Sequence, residues 1–594
     1  MINHTANSRR LLLVGGLGTT DLSGKVPRPG LLMLRQALRQ SGHDAVIANY
    51  STSLMGRLYP ADLVSRSAAI FERSVKPLFL DGKKPLRHPL LAARSLLDIR
   101  ELKVLAGEQA AVEKNVVAEI GREIVDRVRT ERFDAVGFSL FFGGSTVASI
   151  RLAESLRAAE PSLPIIFGGP QTTHFSETIF QVTGAPTALV LGEGEQAIVG
   201  IAEIIDRLKA GRLDDLSRIP NVVFKNENGR LIATARSRLP NNDWLRLSAD
   251  AYEEPDFEGV MRYAFIETSR GCPWLCNFCS QPLLSGKLRY LKPAESIVNE
   301  MAALNQRFGL THFELVGSST PPWQAAEIAR ALLARGLGDK FSWVAFMRGR
   351  DQDTGERDPF KLMDELKRAG AGALFFGAEA ADDATLKLMG KKESVADVKT
   401  MMLAAGKAGL ATMASFIYPY PGMPANEADL IIEFLKAVQP LSAPAQALGL
   451  YPGTDSANRA NEIGCEIVYP DPHDQKLARA GLKAAATMNS PEVLKYLLTY
   501  PLILSLPMRF WPPLPWKIDG QDFSEYVGAV NKLQRRIAEL GVLSGFSHSH
   551  YLISQVLKTS PRELAAKMFY LSLTGDPKAT AGIIEEFNAQ ATGG

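Results

Sequence analysis

Cysteine is scarce in this 594-residue chain, which has four, three of them between Cys272 and Cys279. Thiols placed so close together cannot staple a secreted scaffold. They suit a grip on one metal centre, and with it a reducing, cytoplasmic compartment. Net charge is also small, +3, so no whole-chain attraction to nucleic acid or anionic membrane is indicated. Long apolar runs are missing too. The N-terminal Leu11–Val14 run goes straight into Gly15, Gly16 and Gly18, too short for a signal-peptide core, and is expected to be a first buried strand. Residues 496–516, YLLTYPLILSLPMRFWPPLPW, are apolar and aromatic. Pro501, Pro507, Pro512, Pro513 and Pro515 interrupt them and Arg509 sits inside, so no transmembrane segment is expected. An ordinary core with a Pro-rich loop, a bilayer surface contact and a greasy substrate pocket all remain open for that stretch. No GxGxxG follows the first strand, which weakens a nicotinamide reading.

What is present is the composition of a globular protein, 46% hydrophobic and 22% charged, in a chain too long for one core. Three regions are expected. In residues 1–240, apolar strands at Leu11–Val14, Ala45–Ala48, Ala135–Leu140, Pro164–Phe167 and Ala188–Leu191 alternate with helices such as Gly30–Ser41 and Ser145–Ala158. An insertion with little strand character separates the second strand from the third. Strands alternating with helices imply a parallel sheet covered on both faces, with ligands beyond its strand ends. Glycines stand at those ends: Gly15-Gly16, Gly143-Gly144 after Ser139, Gly168-Gly169, and Gly192-Glu193-Gly194-Glu195. Each lets backbone approach a bulky ligand, although any one of them is also ordinary turn chemistry.

In residues 241–465, six strand-like segments recur: Ala264–Thr268, Phe313–Gly317, Trp343–Phe346, Leu374–Glu379, Thr412–Ile417 and Gln446–Tyr451. Helical stretches such as Ala294–Leu304 and Pro359–Ala369 lie between them. This order implies a parallel barrel or part of one, with chemistry at the carboxyl ends of the strands. Residues 466–594 are expected to be mainly helical, with Phe523–Glu539 and Pro561–Leu573 the clearest helices. A lid, a substrate cap or a packing appendage would fit. His548 and His550 form an HxH there, open to a base, a metal pair or surface polarity.

Cys272 follows the first strand of the middle region in Gly271-Cys272-Pro273-Trp274-Leu275-Cys276-Asn277-Phe278-Cys279. A CxxxCxxC loop can supply three thiolates to a [4Fe-4S] cubane, leaving one iron for an external ligand, because such clusters take four. Structural zinc wants four Cys or His ligands. The nearest histidine in sequence is His312, and Cys465 lies in IGCEIV, an apolar setting typical of a packed thiol.

GCPWLCNFC resembles the cluster loop of the radical-SAM superfamily, in which an aromatic precedes the last cysteine as Phe278 does. LFFGAEAADDATLKLMGKK is similar to that superfamily's fourth-strand segment, with Glu379 in its Gly–x–Glu. FIYPYPGMP and LGLYPGTD resemble its fifth- and sixth-strand ends. PRPGLLMLRQALRQSGHDAVIANY, GFSLFFGGSTVASIRLAESLR, PIIFGGPQTTH and LVLGEGEQAI resemble the cobalamin-binding domain fused to many of its members. The resemblance covers about 450 residues.

It implies an α/β chain made of a Rossmann-like cobalamin-binding sheet, a partial (βα)6 radical-SAM barrel and a mainly helical C-terminal domain. The implied cofactors are a [4Fe-4S] cluster on Cys272, Cys276 and Cys279, S-adenosylmethionine and cobalamin. S-adenosylmethionine would chelate the open iron and yield a 5′-deoxyadenosyl radical. Phe278, Gly317, Ser318 and Glu379 are the candidates near the cluster and its ligand. Gly16, Ser139, Gly168, Gly169, Gly192 and Glu193 are the candidates for cobalamin. Arg348, with Arg350, is a candidate clamp for an anionic substrate group, and Tyr418, Tyr420 and Tyr451 for stacking or proton donation.

Two departures stand out. The DxHxxG that gives cobalt a histidine elsewhere is absent, as it is in many fused members. Ser318 and Ser319 stand where relatives often carry acids, implying altered contacts to S-adenosylmethionine or an altered reaction. The usual reaction of this class is methylation of an unactivated carbon or of phosphorus. Ring closure, ring contraction or oxidation with the same cofactors is an alternative, and a non-catalytic cobalamin- or cluster-sensing protein is a third. A small-molecule substrate, hydrophobic or polycyclic, and an external flavodoxin- or ferredoxin-like electron donor are the expected partners.

Overall fold

The computed structural model describes residues 8–15, 17, 27–50, 57, 61–70, 73, 89–141, 144–239, 249–257, 262–351, 358–446, 448–459, 462, 465–467, 516–518, 523–543 and 548–564. Gly16, Gly143 and the Pro-rich residues 496–515 lie outside them.

The first sheet is seven-stranded, in the order β2-β1-β3-β4-β5-β6-β7. Its strands are β1 (Arg10–Gly15), β2 (Asp44–Asn49), β3 (Ala135–Ser139), β4 (Ile165–Gly168), β5 (Ala188–Val190), β6 (Val222–Lys225) and β7 (Leu231–Ala233). Leu11 to Val14 in β1 are buried on both faces, which is why that strand is apolar throughout instead of alternating. β1 to β5 are parallel, as the sequence implies. β6 and β7 are an antiparallel addition at one edge. They were not expected, being short and joined by an Asn226–Gly229 turn that offers little periodicity to detect. The insertion after β2 is helical, with helices Ala61–Ile70 and Pro89–Glu131. Val116, Ile120, Ile124 and Val128 of the second bury one face against the sheet, at the four-residue spacing of a helical stripe.

The second sheet is six-stranded and parallel, in the order β15-β14-β13-β12-β11-β8. It consists of β8 (Ala264–Glu267), β11 (His312–Val316), β12 (Ser342–Met347), β13 (Ala371–Glu379), β14 (Ala411–Ile417) and β15 (Ala445–Gln446). Each strand lies beside its successor, so the sheet curls into a partial barrel. The sixth strand is shorter than the expected Gln446–Tyr451: pairing stops at Gln446, ahead of the turn-forming Pro452 and Gly453. Between β8 and β11, the short strands β9 (Ser269–Arg270) and β10 (Tyr290–Leu291) pair antiparallel and close the cysteine loop at its base.

Of the C-terminal region, helix Phe523–Glu539 is formed as expected, and helix His548–Val556 adds to it. Leu533, Ile537, Leu552 and Ile553 join the barrel core. The second helix packs on β11, β12 and β13. Its Tyr551 ring lies 2.5 Å from where a Cβ on Gly372 would stand, near the strand starts. The second helix lies at the barrel's strand starts, opposite the cysteine loop, and Phe523–Glu539 packs on β15 and helix Glu427–Val438. Cys465 lies on β16 (Cys465–Ile467), antiparallel to β17 (Trp516–Ile518). No helix among the described residues is long and apolar enough to cross a membrane.

The two sheets are braced directly. Leu32, on helix Pro29–Gln40, belongs to the barrel's core cluster. Arg35 from the same helix is buried against Asp256, and its guanidinium donates to the Ala251 carbonyl at 2.6 Å.

Candidate functional site

The cysteine loop begins where β8 ends. Gly271 has φ +76°, and a Cβ there would collide with the Leu288 carbonyl, so the turn into Cys272 requires glycine. The Cys272 N–H donates to the Gly286 carbonyl at 3.0 Å and the Cys279 N–H to that of Cys276 at 3.0 Å. Asn277 is the loop's anchor. Its N–H donates to the Met389 carbonyl at 2.9 Å, and its amide donates to the Leu388 carbonyl at 2.6 Å. Its side-chain oxygen accepts from the hydroxyls of Tyr420 (2.9 Å) and Ser456 (3.2 Å). The segment after β13 is itself fixed: Asp382 caps helix Asp383–Leu388 through the Thr385 N–H, a contact worth about 1 kcal/mol.

Cys276 is buried and Cys272 and Cys279 are partly so. Burial pushes the Cys279 thiol up to about 12, with Cys276 and Cys272 adding to the rise, and Cys272 moves the same way. All three thiols therefore sit within one another's fields. Yet no three His, Cys, Asp or Glu side chains among the described residues gather tightly enough to hold one metal ion. His312 starts β11, at the opposite end of the barrel from Cys272, and is no fourth ligand.

Charged side chains ring the loop. Arg348, at the end of β12, points Nη1 at the Cys276 sulfur at 3.9 Å and stacks over Trp274, 4.5 Å from the ring centroid. Its Nη2 lies 3.6 Å from Glu393, which also takes Lys391 at 2.9 Å. Lys391 reaches Glu379 at 3.6 Å. Glu379 has φ +65° next to a register shift in β13. That is a strained conformation for a non-glycine residue, costing of order 1–3 kcal/mol. Burial holds its carboxyl above the usual range while Lys391 pulls it back.

Above the first sheet lies a cavity of about 270 Å³. Ser139, Gly168, Gly169, Gly192 and Glu193 line one side; Glu267, Arg270, Leu284 and Ser285, from the two flanks of the cysteine loop, line the other. Gly169 has φ +100° and sits against the Leu140 carbonyl, 2.6 Å from where a Cβ would be. Across the seam, Arg270 pairs with Glu195 at 2.6 Å and Glu267 at 3.0 Å. Glu193 accepts the Leu239 N–H at 2.8 Å. Arg238 and Arg236 of that crossing segment donate to the Leu288 and Leu283 carbonyls at 2.7 and 3.3 Å.

The three cysteines, Glu379 and Arg348 thus lie together, and Phe278 is half-buried beside them. Gly317 (φ +150°) and Ser318 close the end of β11 over Ser269, whose hydroxyl accepts the Ser318 N–H at 3.0 Å. Arg348 is 6% exposed and engaged on several sides, so it is no open clamp for substrate; Arg350 is exposed. Tyr451 is half-buried against His174, 5.5 Å between ring centroids. Tyr418 is half-buried near Glu427, away from the cysteines in its contacts. Sequence reasoning missed Arg270, Glu195, Glu267 and Asn277. Their only signal was position, next to the cysteines or inside GEGE, since ion pairs between distant segments have no periodicity.

With that geometry in view, the profile of the Radical SAM superfamily matches residues 266–435, and that of the B12 binding domain matches residues 103–202. The chain is 28% identical over 298 residues to an uncharacterized methyltransferase of Pyrococcus horikoshii, a match covering 49% of this chain and 61% of that one. It is 26% identical over 276 residues to the anaerobic magnesium-protoporphyrin IX monomethyl ester cyclase of Synechocystis, covering 45% and 52%. The matches span about half to three-fifths of those relatives' length. The structure of the radical S-adenosylmethionine methyltransferase TsrM from Kitasatospora setae, solved with cobalamin and [4Fe-4S] cluster, superposes with a TM-score of 0.61. That superposition covers 98% of this chain and 99% of that one, at 14% identity, and so establishes a shared fold. Residues 266–435 thus carry a radical SAM domain. That domain is preceded by a B12-binding domain over residues 103–202, which takes in β3, β4 and β5 of the first sheet.

Proposed function

We propose that this chain is a cobalamin-dependent radical-SAM methyltransferase. It would methylate an unactivated carbon, or phosphorus, of a small-molecule or natural-product substrate. The observation that carries the reading is the shared cavity. Residues flanking the cysteine loop and the glycine-lined strand ends of the first sheet face each other across one space. Two reactive groups brought face to face are what methyl transfer between cofactors and substrate needs.

Cys272, Cys276 and Cys279 would hold three irons of the cluster, S-adenosylmethionine the fourth, and the strand-end glycines the cobalamin. When bound, these groups supply a carbon radical and a methyl group. The protein's part is placement. Asn277 pins the loop to Leu388 and Met389. Gly317 and Ser318 pack over Ser269 beside it, and Phe278 and Glu379 would border the same space. The cavity's volume of about 270 Å³ lies just below the roughly 300–1,000 Å³ of ordinary ligand pockets, so a corrinoid would extend beyond it along the seam. Tyr451, against His174, would border the substrate space in this reading, and Tyr418, near Glu427, would lie farther from it. A cytoplasmic setting and a flavodoxin- or ferredoxin-like donor complete it. The similarity to a cyclase favours one second reading, ring closure with the same cofactors.

Anaerobic purification with cobalamin supplied, followed by counts of iron, sulfide and cobalamin per chain, tests the cofactor set. About four irons and one cobalamin are expected. Iron without cobalamin, even after reconstitution, would end the methyltransferase reading. Labelled methyl groups counted against 5′-deoxyadenosine then separate methylation from ring closure.

A further inference from the structure

We propose that Arg348 sets the reduction potential of the cluster held by Cys272, Cys276 and Cys279. This rests on the reading of those cysteines as cluster ligands, and it assigns Arg348 to the cluster and not to the substrate. Its Nη1 is 3.9 Å from the Cys276 sulfur. The side chain is 6% exposed and held from several directions. Trp274 lies under the guanidinium plane at 4.5 Å, Glu393 faces Nη2 at 3.6 Å, and Nε donates to the Arg350 carbonyl at 3.3 Å. A planar fork fixed this way cannot swing out to meet a substrate. It can present an N–H and a positive charge to a ligand sulfur.

Hydrogen bonds to the sulfurs, local charge and solvent exposure are what a protein uses to move such a potential. A cation near a ligand thiolate favours the reduced cluster, which carries one more negative charge, and does so strongly where water is excluded. The surrounding charges leave this effect intact. Lys391 is matched by Glu379 and Glu393, and Arg289 by Asp351 at 2.6 Å. Glu393 draws on Arg348 from the far side, so it should temper the arginine's effect and act with opposite sign.

The test is a redox titration followed by electron paramagnetic resonance on the anaerobic holoprotein, without substrate or S-adenosylmethionine, after iron and sulfide have been counted. Wild type without iron and sulfide would sink the cluster reading itself. With cluster loaded, R348Q is expected to shift the midpoint to more negative potential, R348K by less in the same direction, and E393Q to more positive potential. If R348Q does not retain cluster, R348K and E393Q decide. Loaded variants that all titrate with wild type would overturn the inference, because a substrate clamp or a packing residue would leave a substrate-free potential unmoved.

Discussion

Replacing Arg270 with methionine is the sharpest probe of how the two sheets are held together. Arg270 is 5% exposed and pairs with Glu195 from the first sheet's side and Glu267 from β8. Methionine keeps the length and removes the charge, leaving two carboxylates at the cavity wall without their shared cation. Breaking a buried pair in this way costs about 3–5 kcal/mol, which lowers Tm by on the order of 10 °C for domains of this size. Calorimetry of the apoprotein reads the shift. Adding E195Q and E267Q to R270M should recover much of the loss, since the three side chains act as one unit. pH supplies a second check. Burial raises the Glu267 carboxyl above its usual range and Arg270 opposes the rise, so R270M must raise it further. A carboxyl whose folded pKa exceeds its unfolded one gains folded-state stability as pH falls through the folded value. The Tm deficit of R270M should therefore shrink between pH 8 and pH 5. A deficit under about 2 °C, or one that ignores pH, would refute the argument.

Three further substitutions probe the site and its support. G317A forces a Cβ into the Ser269 hydroxyl and to 2.7 Å from the Ser269 carbonyl, at φ +150°; a loss of about 1–3 kcal/mol is expected, and an unchanged Tm would contradict it. N277A removes the side-chain bonds to Leu388, Tyr420 and Ser456 while leaving the backbone ones. Hydrogen exchange over residues 272–285 should quicken, and identical exchange would show that the backbone alone holds the loop. His312 is held neutral, its pKa lowered to about 4 by burial. Wild type should therefore lose up to about 2 kcal/mol as pH falls from 6.5 towards 4. H312N should show a shallower decline in Tm over that window, and parallel declines would count against the assignment.

Both parallel sheets were legible because their strands are buried on two faces and so read as apolar runs, as Leu11–Val14 and Leu374–Phe376 do. The cysteine loop was legible because its chemistry is local. What the sequence hid was long-range and polar. Nothing in Arg35 announces Asp256, nor in Arg270 Glu195, more than seventy residues away. Arg348 shows the same limit. An arginine just past a strand looks exposed and available until Trp274 and Glu393 are found around it. The packing of the C-terminal helices was hidden by periodicity itself, because an apolar stripe on Phe523–Glu539 says that something is covered without naming its partners, β15 and helix Glu427–Val438.

The division of labour at the seam has a physical logic. On the side away from the cysteines, Leu32 enters the barrel core, and close packing there leaves no room for a ligand. On the cavity side, the braces are ion pairs and backbone bonds: Arg270 with Glu195 and Glu267, Glu193 with the Leu239 N–H, Arg238 with the Leu288 carbonyl. Hydrophobic contact brings surfaces together until the space is filled. A directed pair fixes a separation and leaves the neighbouring volume open. The two cofactors proposed above would need that second kind of contact, one that sets a spacing and keeps the gap. The same braces fall within a few residues of Cys272 and of Gly192. A change in how the sheets sit relative to each other would therefore be felt first at the cysteine loop and at the strand ends, where any reaction between the two proposed sites would take place.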